Sequence, residues 1–313
     1  MTGLHVTWFR QDLRVHDHAA LRAACQAAAR EGGQVMALYI LPKPTGLEAD
    51  GETMESAFLY QALTDLRAAL AQREAILHLR HGTVLDVLSE LHTEHQILSL
   101  HAHEAEQTYP IETATEAWAL RAGVQFQLYP QFHPRTSPRS HESWQTVWER
   151  FMACPRNEAP DLIPSANVGM GRWPDQHDAA PVPIDPVNPD VSSGGRKQAI
   201  QKLRSFLGTD TRAGPNAQSG QEAFRALKPH LLLGAVSPRE VWQAAIGAHQ
   251  HALKAGLDIR AAAIASFLQL LPSLSQNRSQ SARTQGRPAR AARPSGPADS
   301  GQQLSLGLGD GGQ

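Results

Sequence analysis

The first 130 residues switch repeatedly between two hydrophobic periods, and this alternation limits the fold more than any other feature of the chain. Leu4 to Phe9 reads as a buried strand, and His18 to Arg30 as a helix with Leu21, Ala24, Cys25 and Ala28 on one face. Gly32 and Gly33 close that helix, as glycines do at a helix C-terminus. Val35 to Leu41 is a second buried strand, stopped by Pro42. Glu55 to Gln72 is an amphipathic helix with Phe58, Leu59, Leu63, Leu66 and Leu70 in one stripe. The pattern continues as strand Ala75 to Arg80, helix Val84 to His92, strand Ile97 to Leu100, helix Ile111 to Ala122 and strand Val124 to Tyr129. Strands alternating with helices of this length make βαβ units with right-handed crossovers and a parallel sheet. The expected fold is therefore α/β, a doubly wound parallel five-stranded sheet over residues 1–130.

Beyond Tyr129 the composition changes. Residues 131–193 read as a connector, broken by Pro134 and Pro138 and rich in Pro, Asp and Asn from Pro155 to Pro189, with Trp173 inside it. One helix, Glu142 to Met152, puts Trp144, Val147, Trp148 and Phe151 on one side, where packing is their expected role. Residues 194–271 predict a partial all-α domain: Arg196 to Leu207, Gln221 to Leu233, a helix opening at Ser237-Pro238, and Leu257 to Leu271. Residues 272–313 predict a disordered tail, with no aromatic residue from Ser273 to Gln313. The net charge of −1 over 313 residues gives no global nucleic-acid signature, so any DNA-binding surface is expected to be local. Cys25 and Cys154 are the only cysteines, which predicts a reduced, cytoplasmic protein without disulfides. No signal segment opens the chain and no run of about 18 apolar residues occurs, so no membrane partner is expected. A monomer is the default.

Chemistry is suggested at three places. The turn after the first strand carries Arg10, Asp12, Arg14 and Asp17. Ion pairs that fix the turn are the expected role, although ligands also bind at the carboxyl ends of strands in open α/β sheets. After the fourth strand comes His101-Ala102-His103-Glu104-Ala105-Glu106. Two histidines two apart in extended chain share a side. No third ligand follows at helical spacing, so no metal is assigned. His133, Arg135 and Arg139 form a short basic cluster that offers phosphate contacts.

Two segments resemble one known family. Trp8 to Leu21, WFRQDLRVHDHAAL, resembles the opening motif of the photolyase/cryptochrome family, WFR-x-DLR-x-x-D-x-x-AL. Gly220 to Trp242 resembles the start of that family's flavin-binding helical domain, T-S-R-L-S-P-x-L-x-x-G-x-x-S-P-R, matching at Leu227, Pro229, Leu231, Gly234, Ser237, Pro238 and Arg239. The resemblance implies an antenna-type α/β domain, with an antenna chromophore near Arg10, Glu104 and Glu106. It implies FAD, with its diphosphate near Arg225, Leu227 and Lys228. It also implies light-driven repair of pyrimidine photodimers in DNA by a carbon–carbon lyase, or the related blue-light photoreceptor role. Two departures matter. The family's hydroxyl positions fall on Phe224, Arg225 and Lys228, and its arginine on Ala226. No Trp follows Trp242, and Ser266-Phe267-Leu268 runs abruptly into Gln269-Leu270-Leu271-Pro272. That break predicts a shifted reading frame or truncated gene within the FAD-binding domain, and little repair by this chain alone. A non-enzymatic nucleotide- or chromophore-binding α/β module is the alternative.

Overall fold

A computed structural model describes residues 3–42, 54–105, 109–131, 143–169, 171, 194–208 and 219–274. Five strands form one parallel sheet: β1 (Leu4–Phe9), β2 (Gln34–Leu41), β3 (Leu77–His81), β4 (Ile97–His103) and β5 (Gln125–Tyr129). Their order is β3-β2-β1-β4-β5. The chain thus winds outward from β1 in one direction, then returns and winds the other way. The expected doubly wound sheet is what forms. The direction reverses between β1 and β4, and the crevice at their carboxyl ends is where such sheets place ligands.

Helices α1 (Ala19–Glu31), α2 (Met54–Ala71), α3 (Val84–His95) and α4 (Tyr109–Ala122) cover the two faces. The strand alternation sorts the side chains. Leu4, Val6 and Trp8 of β1 pack with Val87, Leu88 and Trp118 on the α3/α4 side. Phe9 packs with Leu21, Leu63, Leu66 and Leu70 on the α1/α2 side. Local chemistry sets the helix ends. His18 Nδ1 accepts the Leu21 N–H at the start of α1, and Gly32 ends it with φ 73°. Thr83 caps α3.

The helical unit comprises α5 (Trp144–Ala153), α6 (Arg196–Leu207), α7 (Gly220–Leu232), α8 (Pro238–Lys254) and α9 (Asp258–Leu270). It has its own core of Trp148, Leu203, Phe206, Leu227, Ile264 and Phe267. Trp144 and Trp148 lie on the packing face, with ring centroids 6.3 Å apart. Ser219 and Glu222 form a reciprocal capping box at α7, and Ser237 caps α8 with Pro238 at its first position.

The described part of the connector is a strap. The Val35 N–H donates to the Pro164 carbonyl at 2.7 Å, and the Ala166 N–H donates to the Val35 carbonyl at 2.9 Å. This stretch continues the line of β3 beside the start of β2, and Ile163 and Ala166 enter the two sheet-side cores. Trp173, the basic cluster of His133, Arg135 and Arg139, and residues 275–313 of the expected tail lie outside the described residues.

The two units meet closely. Gly194 and Gly195 lead into α6 where it abuts α2: a Cβ on Gly194 would stand 2.3 Å from the Phe58 carbonyl oxygen, and Gly195 has φ +91°. Asp65 of α2 then accepts the Lys197 N–H at 3.1 Å and so caps α6 from the neighbouring unit.

Candidate functional site

The loop leaving β1 enters the crevice and divides its charges between two tasks. Arg10 and Asp12 turn toward β4 and α4. Arg10 lies over the Trp8 ring, 4.5 Å from guanidinium carbon to centroid, and donates to Glu112 Oε1 at 3.1 Å and to the His103 carbonyl. Glu104 stands at the end of β4, where its N–H donates to the Tyr129 carbonyl at 2.9 Å. Arg10 and Glu104 are therefore gathered at the same crevice, whereas Glu106 lies outside the described residues.

Asp12 is buried among donors. Its Oδ1 accepts the Arg10 backbone N–H at 2.6 Å, and Oδ2 accepts from His103 Nδ1 at 2.8 Å. His18 Nε2 stands 3.0 Å from the same Oδ2. Burial alone would raise the Asp12 pKa, but His18 and the hydrogen bonds from both histidines overcome it and hold the carboxyl well below the usual range. Burial lowers the pKa of both histidines, that of His103 to about 3. Asp12, His18 and His103 bring three ligand atoms, one carboxylate oxygen and two imidazole nitrogens, within 4.8 Å of one another, which has the outline of a metal centre. The protonation pattern argues for hydrogen bonding instead. His18 Nδ1 accepts the Leu21 N–H, so the ring proton sits on Nε2, facing Asp12, where a cation would need a lone pair.

The two histidines singled out on β4 do share a side, yet they part company. His103 turns to Asp12. His101 joins a buried polar row: its Nε2 is 2.8 Å from Ser99 Oγ, its Nδ1 is 3.0 Å from the Tyr129 hydroxyl, and Ser99 Oγ is 2.8 Å from His5 Nδ1. Burial pushes the His101 pKa down to about 4.

Arg14 and Asp17 face the other way, into the helical unit. Here the structure departs from a turn that merely pairs with itself. Arg14 donates to the Gly234 carbonyl at 2.9 Å, and the Leu13 N–H donates to the Leu233 carbonyl at 3.1 Å. Asp17 accepts from Arg239 at 2.9 Å, from the Asn157 N–H at 3.0 Å and from the Ser237 hydroxyl. Asp17 has φ 48°, a left-handed conformation that Asp tolerates better than most residues. Burial would raise its pKa, but the Arg14 and Arg239 charges keep it lowered. Gly234 sits so close that a Cβ there would meet the Gln11 carbonyl oxygen at 2.2 Å. The two sequence segments that carry the family resemblance therefore bond directly to each other. Sequence reading missed His18, Glu112 and Asn157 as partners; no periodic signal marks them.

Arg225, Leu227 and Lys228 lie on α7 and do not converge. Leu227 is in the core, Phe224 leans toward Phe267 with ring centroids 6.4 Å apart, and Arg225 and Lys228 are exposed. A flavin diphosphate needs hydroxyls or backbone N–H groups turned into one hollow. These residues offer two solvent-facing charges and no buried donor, so as folded they do not fit such a cradle.

A doubly wound parallel sheet with a helical unit bolted to the loop at its switch point is the class of protein defined so far. Residues 5–141 match the family model described as DNA photolyase. A deoxyribodipyrimidine photo-lyase of Alkalihalophilus pseudofirmus is 22% identical over 303 residues, covering 86% of this chain and 59% of the relative. The crystal structure of a Synechocystis cryptochrome has a TM-score of 0.65 at 18% identity, covering 89% of this chain and 61% of that one. That of an archaeal photolyase from Sulfolobus tokodaii, with two FAD molecules, has a TM-score of 0.56 at 18% identity, covering 78% and 55%. The α/β domain matches the photolyase family model, and the chain over most of its length is similar to photolyases and cryptochromes. It spans about half to three-fifths of the length of these relatives. Among the described residues, no helix is long and apolar enough to cross a membrane.

Proposed function

We propose that this chain holds a light-absorbing chromophore at the carboxyl ends of its strands, as the antenna part of flavin-dependent photochemistry on DNA that carries pyrimidine photodimers. The observation that carries the reading is an apolar trough of about 830 Å³ between the starts of α3 and α4, walled by Ile40, Pro42, Val84, Leu85 and Ile111. That volume lies within the range of roughly 300–1,000 Å³ usual for small-molecule sites. Ile111 lines the trough while Glu112, the next residue of α4, holds Arg10, so α4 contributes to both the trough and the charged crevice at the switch point. Photorepair by this chain alone is not part of the proposal, because α7 presents Phe224 and Leu227 inward where a diphosphate needs donors. A monomeric, cytoplasmic protein is the working form.

FAD is a suitable first probe, titrated against the full chain and followed by flavin fluorescence and absorption. Binding that is lost in Ala114→Phe, which fills the trough wall, supports the reading. A protein that neither purifies with a visible chromophore nor takes up FAD overturns it. Light-dependent repair of a dimer-containing oligonucleotide by the purified chain overturns the restriction to an antenna role.

A further inference from the structure

A second concavity opens between the two units, away from the crevice. It measures about 850 Å³ and is bounded by α2 and the turn after it, α6, the start of α8 and His16 of the β1–α1 loop. A neighbouring hollow of about 560 Å³ shares Ile200, Arg204 and Glu240 with it and adds Arg156, so one trough runs along α6. Its charged lining is Arg73, Arg156, Arg196, Lys197 and Arg204 against Asp65 and Glu240. Five cations against two carboxylates leave the trough three charges positive, on a chain whose net charge is −1.

Both carboxylates are already engaged. Glu240 takes a two-pronged contact from Arg196, at 2.7 and 2.9 Å, and has Arg156 at 3.9 Å. Asp65 caps α6 through the Lys197 N–H. Arg73, Lys197 and Arg204 have no ion-pair partner among the described residues. Lys197, Gln201 and Arg204 recur at helical spacing on the exposed side of α6, so the two cations lie about 10 Å apart along its axis. Ala68, Ala69 and Ile200 supply apolar floor. Desolvation, then the charges of Arg196 and Arg73, lower the pKa of His16, which marks the positive field at the trough.

We infer that this trough binds a chain of phosphates of nucleotide size, with Lys197, Arg204 and Arg73 as the phosphate contacts and the Ala68–Ala69–Ile200 floor beneath the attached base. Converging cations whose counter-charges are spent elsewhere are what a polyphosphate recognises. The same chemistry is presented by a free nucleoside triphosphate and by a nucleic-acid strand.

The test titrates the full chain with ATP, inorganic tripolyphosphate and a short single-stranded oligonucleotide, using calorimetry at low salt. Lys197→Glu with Arg204→Glu reverses two exposed charges that no fold contact uses, and a thermal melt checks that the variant remains folded. Wild-type binding to any of the three probes, weakened at least tenfold in the double variant and retained in Lys254→Glu at the far end of α8, supports the site. ATP and tripolyphosphate binding alike assigns the energy to phosphate. Binding of the oligonucleotide alone assigns a nucleic-acid source. No binding of any probe at millimolar concentration, or equal binding by the double variant, overturns the inference.

Discussion

Removing the Asp17 carboxylate tests the junction between the two units most directly. In Asp17→Ala the Asn157 N–H, the Ser237 hydroxyl and Arg239 lose their acceptor, and Arg14 loses a neighbouring counter-charge. All of this happens at a position only 6% exposed. Breaking a buried ion pair by deleting one partner costs about 3–5 kcal/mol, because the other charge stays buried. Alanine also disfavours the left-handed backbone at φ 48°, which adds about 1 kcal/mol. Asp17→Asn separates the two effects. It keeps the backbone preference and the side-chain shape and removes only the charge, so about 2 kcal/mol of loss is expected. Urea denaturation gives the size. Limited proteolysis between α5 and α6 reports whether the units come apart. A double-mutant cycle with Arg239→Ala should return a coupling of roughly 1–3 kcal/mol. If both Asp17 variants stay within about 0.5 kcal/mol of the parent, the figure for an exposed position, the junction does not hold the units together.

Four further outcomes follow from the same geometry. His101 and His230 are buried and their pKa values are lowered to about 4 by desolvation, below the unfolded value of 6.5. A histidine with a depressed folded pKa leaves stability intact above pH 6.5 and loses it as pH falls from 6.5 toward 4. Between pH 7.5 and 5 each should cost about 2 kcal/mol in the denaturation free energy, and His230→Phe should flatten that dependence. Gly194→Ala should destabilise by roughly 1–3 kcal/mol through the approach to the Phe58 carbonyl, seen as a lowered melting temperature. Trp148→Ala should cost about 3–5 kcal/mol by emptying the centre of the helical core, read by urea titration. His18→Ala removes both the α1 cap and a contact to Asp12, and should cost about 1–2 kcal/mol by the same assay.

Segments whose structure is decided locally were legible in the sequence. α6 spans Arg196–Leu207, as its periodicity implies, and the five strands fall where their apolar runs do. β4 shows where that reading stops. Its apolar run ends at Leu100, yet the strand continues through His103, because His101 and His103 find polar partners on the buried side of the sheet. A polar residue in a strand resembles loop until its partner is known. The connector hid Ile163 and Ala166 in the same way, since two apolar residues among prolines show no period. The Arg10, Asp12, Arg14 and Asp17 loop was visible as a charged turn. Its division between crevice and junction was not, because the partners of Arg14 and Asp17 lie about 220 residues away.

That separation sets a clock on biosynthesis. Asp17 and Arg239 are 222 positions apart. At a translation rate of about 5–20 residues per second, the first waits roughly 10 to 45 s for the second to emerge. During that interval the sheet can assemble on the ribosome, while the Asp17 carboxylate has Arg14 and, later, Asn157 for partners but not yet Ser237 or Arg239. Slower translation between residues 17 and 239 is therefore expected to lengthen the time this junction spends half-formed.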